Sequence, residues 1–416
     1  MKTSSKEEIA VIGAGIIGVC CAFELVRRGF RVKLIDPEPP CSLTSFGNAG
    51  VISPWSCTPQ SMPGNWKKIP KWLLDPKGPV FIRKNYLLKF LPWAIKFLNA
   101  GKISKINSIA DAMFALTNNS VENYRLMLEG TGKKSLVKDS LYVHAYRNKL
   151  TNVSDQLGWK LRKKRNVPVE LIDQNELKKL EPSISNEFES GIIIKEQGRA
   201  SNPALIGQAI FLKAKSLGLD QIKSKVNQIN FESNNNYEIE FDTFKKNFNN
   251  IVLAAGVWSA NFLKKFNINV PLEAERGYHL VCKNPGIEVN NSVMDVERMF
   301  VASLMDSGVR VAGTAEFAGI NAEPNYKRAE IFKELIKNLF PEINTNNTEE
   351  WMGSRPAFPD SLPTIGEIKN FPGLYVAFGH GHYGLSMAPM TAKIIADCIN
   401  NLKHTISLKP YDINRF

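Results

Sequence analysis

No Cys-x-x-Cys pair occurs in this chain, and its six cysteines (Cys20, Cys21, Cys41, Cys57, Cys282 and Cys398) are scattered along 416 residues. Cys20 and Cys21 fall within one helix-forming run, where adjacent side chains point in different directions. A disulfide framework or a zinc site is therefore not indicated, and a reducing cytoplasm fits. No apolar stretch reaches the ~20 clean residues that a membrane-spanning helix needs. Lys2 and Lys6 ahead of the apolar run 9–23 imitate a signal peptide, but Glu7 and Glu8 sit in the charged region and Glu24 ends the run. Internal repeats and low-complexity tracts are absent, as is any helix-turn-helix, zinc-finger or RNA-binding motif, so nucleic acid is not expected as a partner. Acidic residues are in deficit: 53 Lys and Arg against 40 Asp and Glu give a formal net charge of +13. That excess favours anionic ligands, acidic substrates or an anionic membrane surface. The cations are scattered rather than blocked, so a lysine-rich solvated surface explains them equally well.

What is present is a soluble, globular composition, 44% hydrophobic and 22% charged, with length for about two domains. Residues 9–36 read as one phosphate-binding unit. A short apolar strand (Ile9-Ala10-Val11-Ile12) leads into Gly13-Ala14-Gly15-Ile16-Ile17-Gly18, a helix, and a second strand (Arg31-Val32-Lys33-Leu34-Ile35) ending at Asp36. Gly13 permits the tight turn, Gly15 lets backbone approach a pyrophosphate, and Gly18 lets the helix lie close to the strand. A helix starting at Ile16 aims its unpaired N–H groups at phosphate. Gly29 closes that helix. Asp36 stands where a carboxylate accepts hydrogen bonds from an adenosine ribose, which disfavours a 2′-phosphate. The unit predicts a bound dinucleotide.

Beyond Asp36 comes a proline-rich turn and a loop of small residues, 42–53. Residues 64–105 are basic and aromatic, and from 85 to 99 the apolar positions recur at helical spacing with Lys89 and Lys96 between them. This is either an interfacial helix touching anionic lipid or a core-facing helix with snorkelling lysines, and Pro92 is expected to kink or divide it. Helices are predicted over 107–130, 150–165, 203–218 and 327–339, the third marked by proline in its first turn and glycine at its end. Residues 140–146, 226–229 and 237–241 alternate as strands, the last two around an asparagine-rich turn at 233–236. Ile251-Val252-Leu253-Ala254-Ala255-Gly256 reads as a buried strand ending in a glycine turn, 271–318 as an antiparallel sheet, and 375–402 as strand, glycine-rich turn and helix. The fold class is therefore α/β. A Rossmann-like nucleotide domain is expected from the discontinuous segments 1–64, 186–264 and 346–416. An α+β substrate domain with an antiparallel sheet is expected from 65–185 and 265–345.

Several further segments carry chemistry. The loop Thr44-Ser45-Phe46-Gly47-Asn48-Ala49-Gly50 is small enough for its backbone to approach a ring system, or is simply a surface loop. In Gly379-His380-Gly381-His382-Tyr383-Gly384 the glycines strip a turn of side chains directly before a helix starting near Leu385, whose N-terminus places partial positive charge on whatever lies above it. His380 and His382 have an i, i+2 metal-pair spacing, but no acidic or cysteine partner lies nearby in sequence, so no metal is expected. Arg355 offers a guanidinium for a bidentate grip on a carboxylate, or a surface ion pair.

The residue 13–18 fingerprint, the 44–50 loop, Leu253-Ala254-Ala255-Gly256-Val257-Trp258-Ser259, Arg355-Pro356 with Pro359-Asp360-Ser361-Leu362-Pro363-Thr364-Ile365-Gly366, and the 379–384 turn together resemble the FAD-dependent amine oxidoreductases of the D-amino-acid oxidase superfamily. Within it they are most similar to bacterial D-amino acid dehydrogenases, including hydroxy-D-proline dehydrogenases. The resemblance spans nearly the whole chain and is specific for family and flavin, not for substrate. It implies that Gly13, Ala14, Gly15, Ile16, Ile17, Gly18 and Asp36 hold the nucleotide; that Ser45, Asn48, Ala49 and Gly50 contact diphosphate and flavin; that Val226 meets the adenine side through its backbone; that Ala255 and Gly256 form a second nucleotide-contacting turn; and that Gly381, Gly384 and Leu385 lie under the pyrimidine edge. It also implies a substrate site of Arg355, His382 and Tyr278, with Arg355 on the carboxylate. His382 stands where glycine oxidases carry an arginine. No cysteine occurs in 351–366, where relatives that bind flavin covalently have one, so the expected FAD is non-covalent. The implied activity is oxidation of a D-amino acid, or a cyclic imino acid such as hydroxy-D-proline, with electrons passing to a quinone or other acceptor. A glycine or sarcosine oxidase and a non-enzymatic flavin-binding module are the alternatives. The expected location is the cytoplasm, with peripheral contact to the anionic inner face of the membrane.

Overall fold

Four apolar runs of β-forming residues meet in one parallel sheet. The computed structural model describes residues 8–153, 156–232 and 236–416, so the turn expected at 233–236 falls, apart from Asn236, outside the described residues. The sheet is ordered Thr364–Glu367, Leu374–Phe378, Asn250–Leu253, Glu8–Ile12, Arg31–Ile35, Asp220–Ile222, and only the first strand runs antiparallel to its neighbour. Ile12 registers against Ile35 on one side and Leu253 on the other. Its central strands are almost wholly buried because helices cover one face and the three-stranded sheet of Val226–Phe231, Tyr237–Phe241 and Lys245–Phe248 packs on the other, which explains their continuous rather than alternating apolar sequence.

Helices Ile16–Arg27 and Gly384–Ile399 pack side by side in one core cluster with Pro203–Ser216. The last is capped as its sequence predicts, with the Asn202 side chain accepting from Leu205 N–H and proline in the first turn. The first two are clamped at their C-terminal ends. Arg28 bridges Glu24 at 2.8 Å and Asp397 at 2.7 Å, and Glu24 is only 5% exposed.

A larger, eleven-stranded sheet forms the second layer. Its centre is Glu273–Cys282, hydrogen-bonded along its full length to Thr348–Ala357. The strands within 271–318 pair antiparallel with one another, as expected. The sheet as a whole is mixed, since Val137–Tyr146 pairs parallel with Ser292–Asp295, and Ala315–Phe317 with Val80–Ile82. The segment boundaries also cut across it: Val51–Ile52, Ser190–Ala200 and Thr348–Ala357, assigned by sequence to the nucleotide domain, are strands of this sheet. Strand pattern reports burial and not which sheet a strand joins, so sequence had no means of separating them.

Leu87–Ala100 is one helix that runs through Pro92, which therefore does not divide it. A proline at the sixth position forfeits only the bond to the Leu88 carbonyl, near the start of the helix. Phe90, Trp93 and Phe97 face inward onto Phe317 and Ala357. No helix among the described residues is long and apolar enough to cross a membrane.

Candidate functional site

The phosphate end is built by the first turn. Gly13 has φ +104°, and its N–H donates to Ile35 O at 2.8 Å, so the turn locks the first two strands together. A Cβ on Gly18 would lie 1.8 Å from Gly13 O, and one on Gly13 2.5 Å from Ala254 O. Both glycines are therefore required for helix, turn and third strand to approach one another. Gly15 is the helix N-cap with no side-chain cap, and the first helical turn holds no acidic residue, which leaves its partial positive charge for an anion. Ile16 N–H donates to Ser45 Oγ at 2.9 Å, which brings the 44–50 loop onto the helix start. Asp36 accepts from Ala14 N–H at 2.7 Å and Glu38 N–H at 2.9 Å, holding its carboxylate beside the turn. Ile16 is buried and Ile17 partly so. Ala254 N–H bonds Ile12 O, and Ala255 and Gly256 continue that edge, with Gly256 at φ +55° and open space where a Cβ would sit. Val226 packs into the core with Ile12 and Ile35. This cradle of side-chain-free turns at a helix N-terminus fits the diphosphate and ribose of FAD.

The 44–50 loop is pinned to the second sheet. Arg310 Nη1 donates to Phe46 O at 2.7 Å and Asn48 O at 2.8 Å, and its guanidinium lies over the Phe46 ring. His279 Nδ1 lies 3.2 Å from Gly47 O and stacks on Trp351. Asn48 Oδ1 accepts from Gly50 N–H, whose residue has φ +80°. Ala49 lies between them, partly exposed. Opposite, a 3-10 turn Gly381–Tyr383 leads directly into helix Gly384–Ile399. Gly381 has φ +52°, and its nearest prospective Cβ neighbour is 3.9 Å away, so space above the helix start is open. Leu385 is buried, its carbonyl accepting from Tyr124 OH.

Arg355 and His382 converge on a residue that the sequence did not single out. Glu275 Oε1 accepts from Arg355 Nη1 at 2.8 Å and contacts His382 Nε2. Arg355 Nη1 also donates to Thr314 O at 3.1 Å, whereas its Nε and Nη2 edge has no hydrogen-bond partner among the described residues. Gly277 is the bed for this guanidinium, since a Cβ there would lie 2.1 Å from Nη2. Burial alone would raise the Glu275 carboxyl, but the neighbouring His382 and Arg355 outweigh it and hold it down at about 2. A narrow cleft opens beside the cluster, lined among others by Glu275, His382, Tyr383, Gly381, Trp93 and Phe97, though not by Arg355.

Tyr278 does not belong to this constellation. Side chains alternate along a strand, so Glu275, Gly277 and His279 face the loop and Arg355, whereas Arg276 and Tyr278 face the other way. Tyr278 is 1% exposed, its hydroxyl donating to Glu316 and accepting from Asn325 N–H. Burial, with Glu316 beside it, pushes that phenol up to about 12. His380 is likewise structural: it is buried, its Nε2 lies 3.0 Å from Thr391 Oγ1, and burial lowers it to about 3. No group of three or more His, Cys, Asp or Glu placed to hold a metal ion occurs among the described residues. Glu275, His279, Arg310 and Trp351 escaped the sequence reading. The one available signal was glycine at 277 and 353, a facing pair that leaves a hollow in the sheet.

His279, lowered to about 3 by burial and then by Arg310, behaves like His380 towards acid. Both are neutral in the fold yet titrate at their ordinary value near 6.5 when unfolded, so their contribution is complete above that pH and is lost progressively as pH falls towards 3. Well below 6.5 each costs about 1.4 kcal/mol per pH unit, and together they cost about 3 kcal/mol between pH 6.5 and 5. Calorimetry should show a distinctly lower Tm at pH 5 than at pH 7, with protons taken up on unfolding. A level Tm across that interval would contradict this account.

Comparison with known proteins agrees with this geometry. Residues 8–398 match the family model described as "DAO: FAD dependent oxidoreductase". The chain is 34% identical over 415 residues to a D-amino-acid oxidase of Bradyrhizobium diazoefficiens, covering 98% of each chain. Among solved structures, L-proline dehydrogenase from P. horikoshii superposes with a TM-score of 0.74 at 21% identity over 99% of this chain and 98% of that one. Glycine oxidase from Geobacillus kaustophilus gives 0.71 at 18% identity over 99% and 100%. At such identities these two show a shared fold.

Proposed function

Because the chain belongs to the DAO family of FAD-dependent oxidoreductases and acts on amino acids, we propose that its substrate is a D-amino acid, or a cyclic imino acid such as hydroxy-D-proline. FAD, held non-covalently, would supply the hydride acceptor at N5, with a quinone or another acceptor other than oxygen to take the electrons. The observation that carries this reading is the half-engaged guanidinium of Arg355. Glu275 and the Thr314 carbonyl fix Nη1, which leaves the Nε and Nη2 edge aligned for the two oxygens of a substrate carboxylate. Gripping the carboxylate at a rigid fork fixes the direction of the Cα–H bond. Glu275 stays anionic throughout the neutral range and fixes the neighbouring imidazole of His382, one-third exposed at the cleft. That imidazole is the group we assign to take the proton of the substrate ammonium, since only the neutral amine can release a hydride. Trp93 and Phe97 line the cleft with apolar surface and restrict water. The phosphate-turn residues, the 44–50 loop and the 381–385 helix start carry FAD in this reading, and Tyr278 serves the fold.

Anaerobic addition of D-alanine, D-proline and hydroxy-D-proline to the pure protein should bleach its yellow absorbance. If no D-amino acid or N-methyl glycine does so, the activity is refuted. His382→Asn should lower kcat/KM about 10²-fold and remove from its pH profile the limb that reports a group active only when deprotonated. An unchanged pH profile would remove His382 from that role. The B. diazoefficiens relative is an oxidase by name, and this favours one second reading, in which oxygen is the acceptor. Oxygen uptake with peroxide formed at the rate of substrate oxidation would establish it. In either case we place the protein in the cytoplasm.

A further inference from the structure

The helix Leu87–Ala100 is apolar on two opposite faces, and only one is covered. Phe90, Trp93 and Phe97 point into the core, whereas Leu87, Leu88, Leu91, Ile95 and Leu98 form a stripe on the other side with exposures from 47% to 83%. A helix apolar all round is normally buried, so the outward stripe lacks its partner. Leu74, at the end of helix Asn65–Leu74, and Ile103, at the start of Ile103–Thr117, extend the exposed apolar surface at 83% and 73%. Surfaces of this kind mark a docking site.

Charge identifies the occupant. Residues 76–110 contain seven Lys or Arg and no Asp or Glu. Lys77 pairs with Glu334 and Arg83 with Glu316. Lys84, Lys89, Lys96, Lys102 and Lys105 are exposed and make no ion pair among the described residues. Exposed leucines fringed by unpaired lysines match a surface that is apolar inside and anionic outside. A groove at the end of the helix, lined by Met62, Pro63, Phe97, Leu98, Lys102 and Ile103, has the same mixed character. We propose that the outward face of Leu87–Ala100, with Leu74, Ile103 and the surrounding lysines, docks the protein onto an anionic lipid bilayer. The inward face of the same helix, through Trp93 and Phe97, walls the candidate substrate cleft. Docking would therefore set that cleft one helix diameter from the lipid, within reach of a lipid-soluble acceptor.

Flavin-loaded full-length protein should co-sediment with phosphatidylglycerol-containing vesicles, bind phosphatidylcholine vesicles far more weakly, and be released by high salt. Lys89→Glu with Lys96→Glu should weaken binding at least about 25-fold, from about fivefold per lysine near an anionic surface. Leu88→Glu with Leu91→Glu should abolish it. Both double variants should keep their flavin and their turnover with a soluble dye, which separates a lost surface from a lost fold. The proposal is overturned if the protein stays in the supernatant, if neutral vesicles bind it equally, if the variants sediment like the parent, or if light scattering shows a dimer that the leucine substitutions dissociate. Vesicle capture without quinone reduction would leave the docking intact and remove only the quinone from the functional reading.

Discussion

Replacing Arg355 with alanine is expected to lower kcat/KM for the best D-amino acid by about 10³-fold, the equivalent of about 4 kcal/mol for a desolvated, bidentate charge pair. Most of the loss should appear as a raised KM, since the guanidinium grips the carboxylate before and during the reaction alike. Arg355→Lys retains the charge but not the fork and should fall between the two. Glu275 stays paired with His382 in either variant, so the site is not left with an isolated buried carboxylate. Steady-state kinetics with a dye acceptor, on protein whose flavin content has been measured, decides the matter. A KM within threefold of the parent would mean that the carboxylate is held elsewhere.

The second large effect concerns the cofactor. Gly18→Ala introduces a carbon 1.8 Å from the Gly13 carbonyl oxygen. The obstacle is backbone, and the turn it belongs to is locked to Ile35 and closely approached by Ala254, so there is no flexible side chain to give way. The helix must move off the turn and carry its N–H groups away from the phosphates. We expect at least about a tenfold loss of FAD affinity, with a stability cost in the range of about 1–3 kcal/mol typical of overpacking. The variant should purify pale or colourless, with Tm restored in part by added FAD. Stoichiometric flavin in this variant would show that the Gly18 contact is not needed.

The phosphate end was legible in sequence because every element of it is local. Glycines at 13, 15 and 18 act within one turn, and Asp36 follows one helix and one strand later, so spacing alone brings them together. The helices at 203–216 and 327–339 were legible for the same reason, through caps and periodicity. The substrate end was not. All ten residues of Glu273–Cys282 are buried because the sheet is covered on both faces, so no polar alternation reveals which side chains look towards the flavin. Assigning Glu275 to Arg355, and Tyr278 away from it, requires the register with Thr348–Ala357, which is 80 residues distant at that pair. The double-faced character of 87–100 was visible as an ambiguity between core and lipid contact, and the folded helix turns one apolar face to the core and leaves the other exposed.

The clamp between Arg28, Glu24 and Asp397 fixes how two helix dipoles lie against each other. The two helices it joins run in the same direction, each following a parallel strand of one sheet. From Arg28 back to Ile16 and from Asp397 back to Gly384 are nearly equal lengths, about 18 and 20 Å at 1.5 Å per residue. Two aligned dipoles thus lie abreast with their positive poles level, an arrangement that repels itself. With FAD placed across both poles, as proposed above, its negative charge would turn that mutual repulsion into shared attraction.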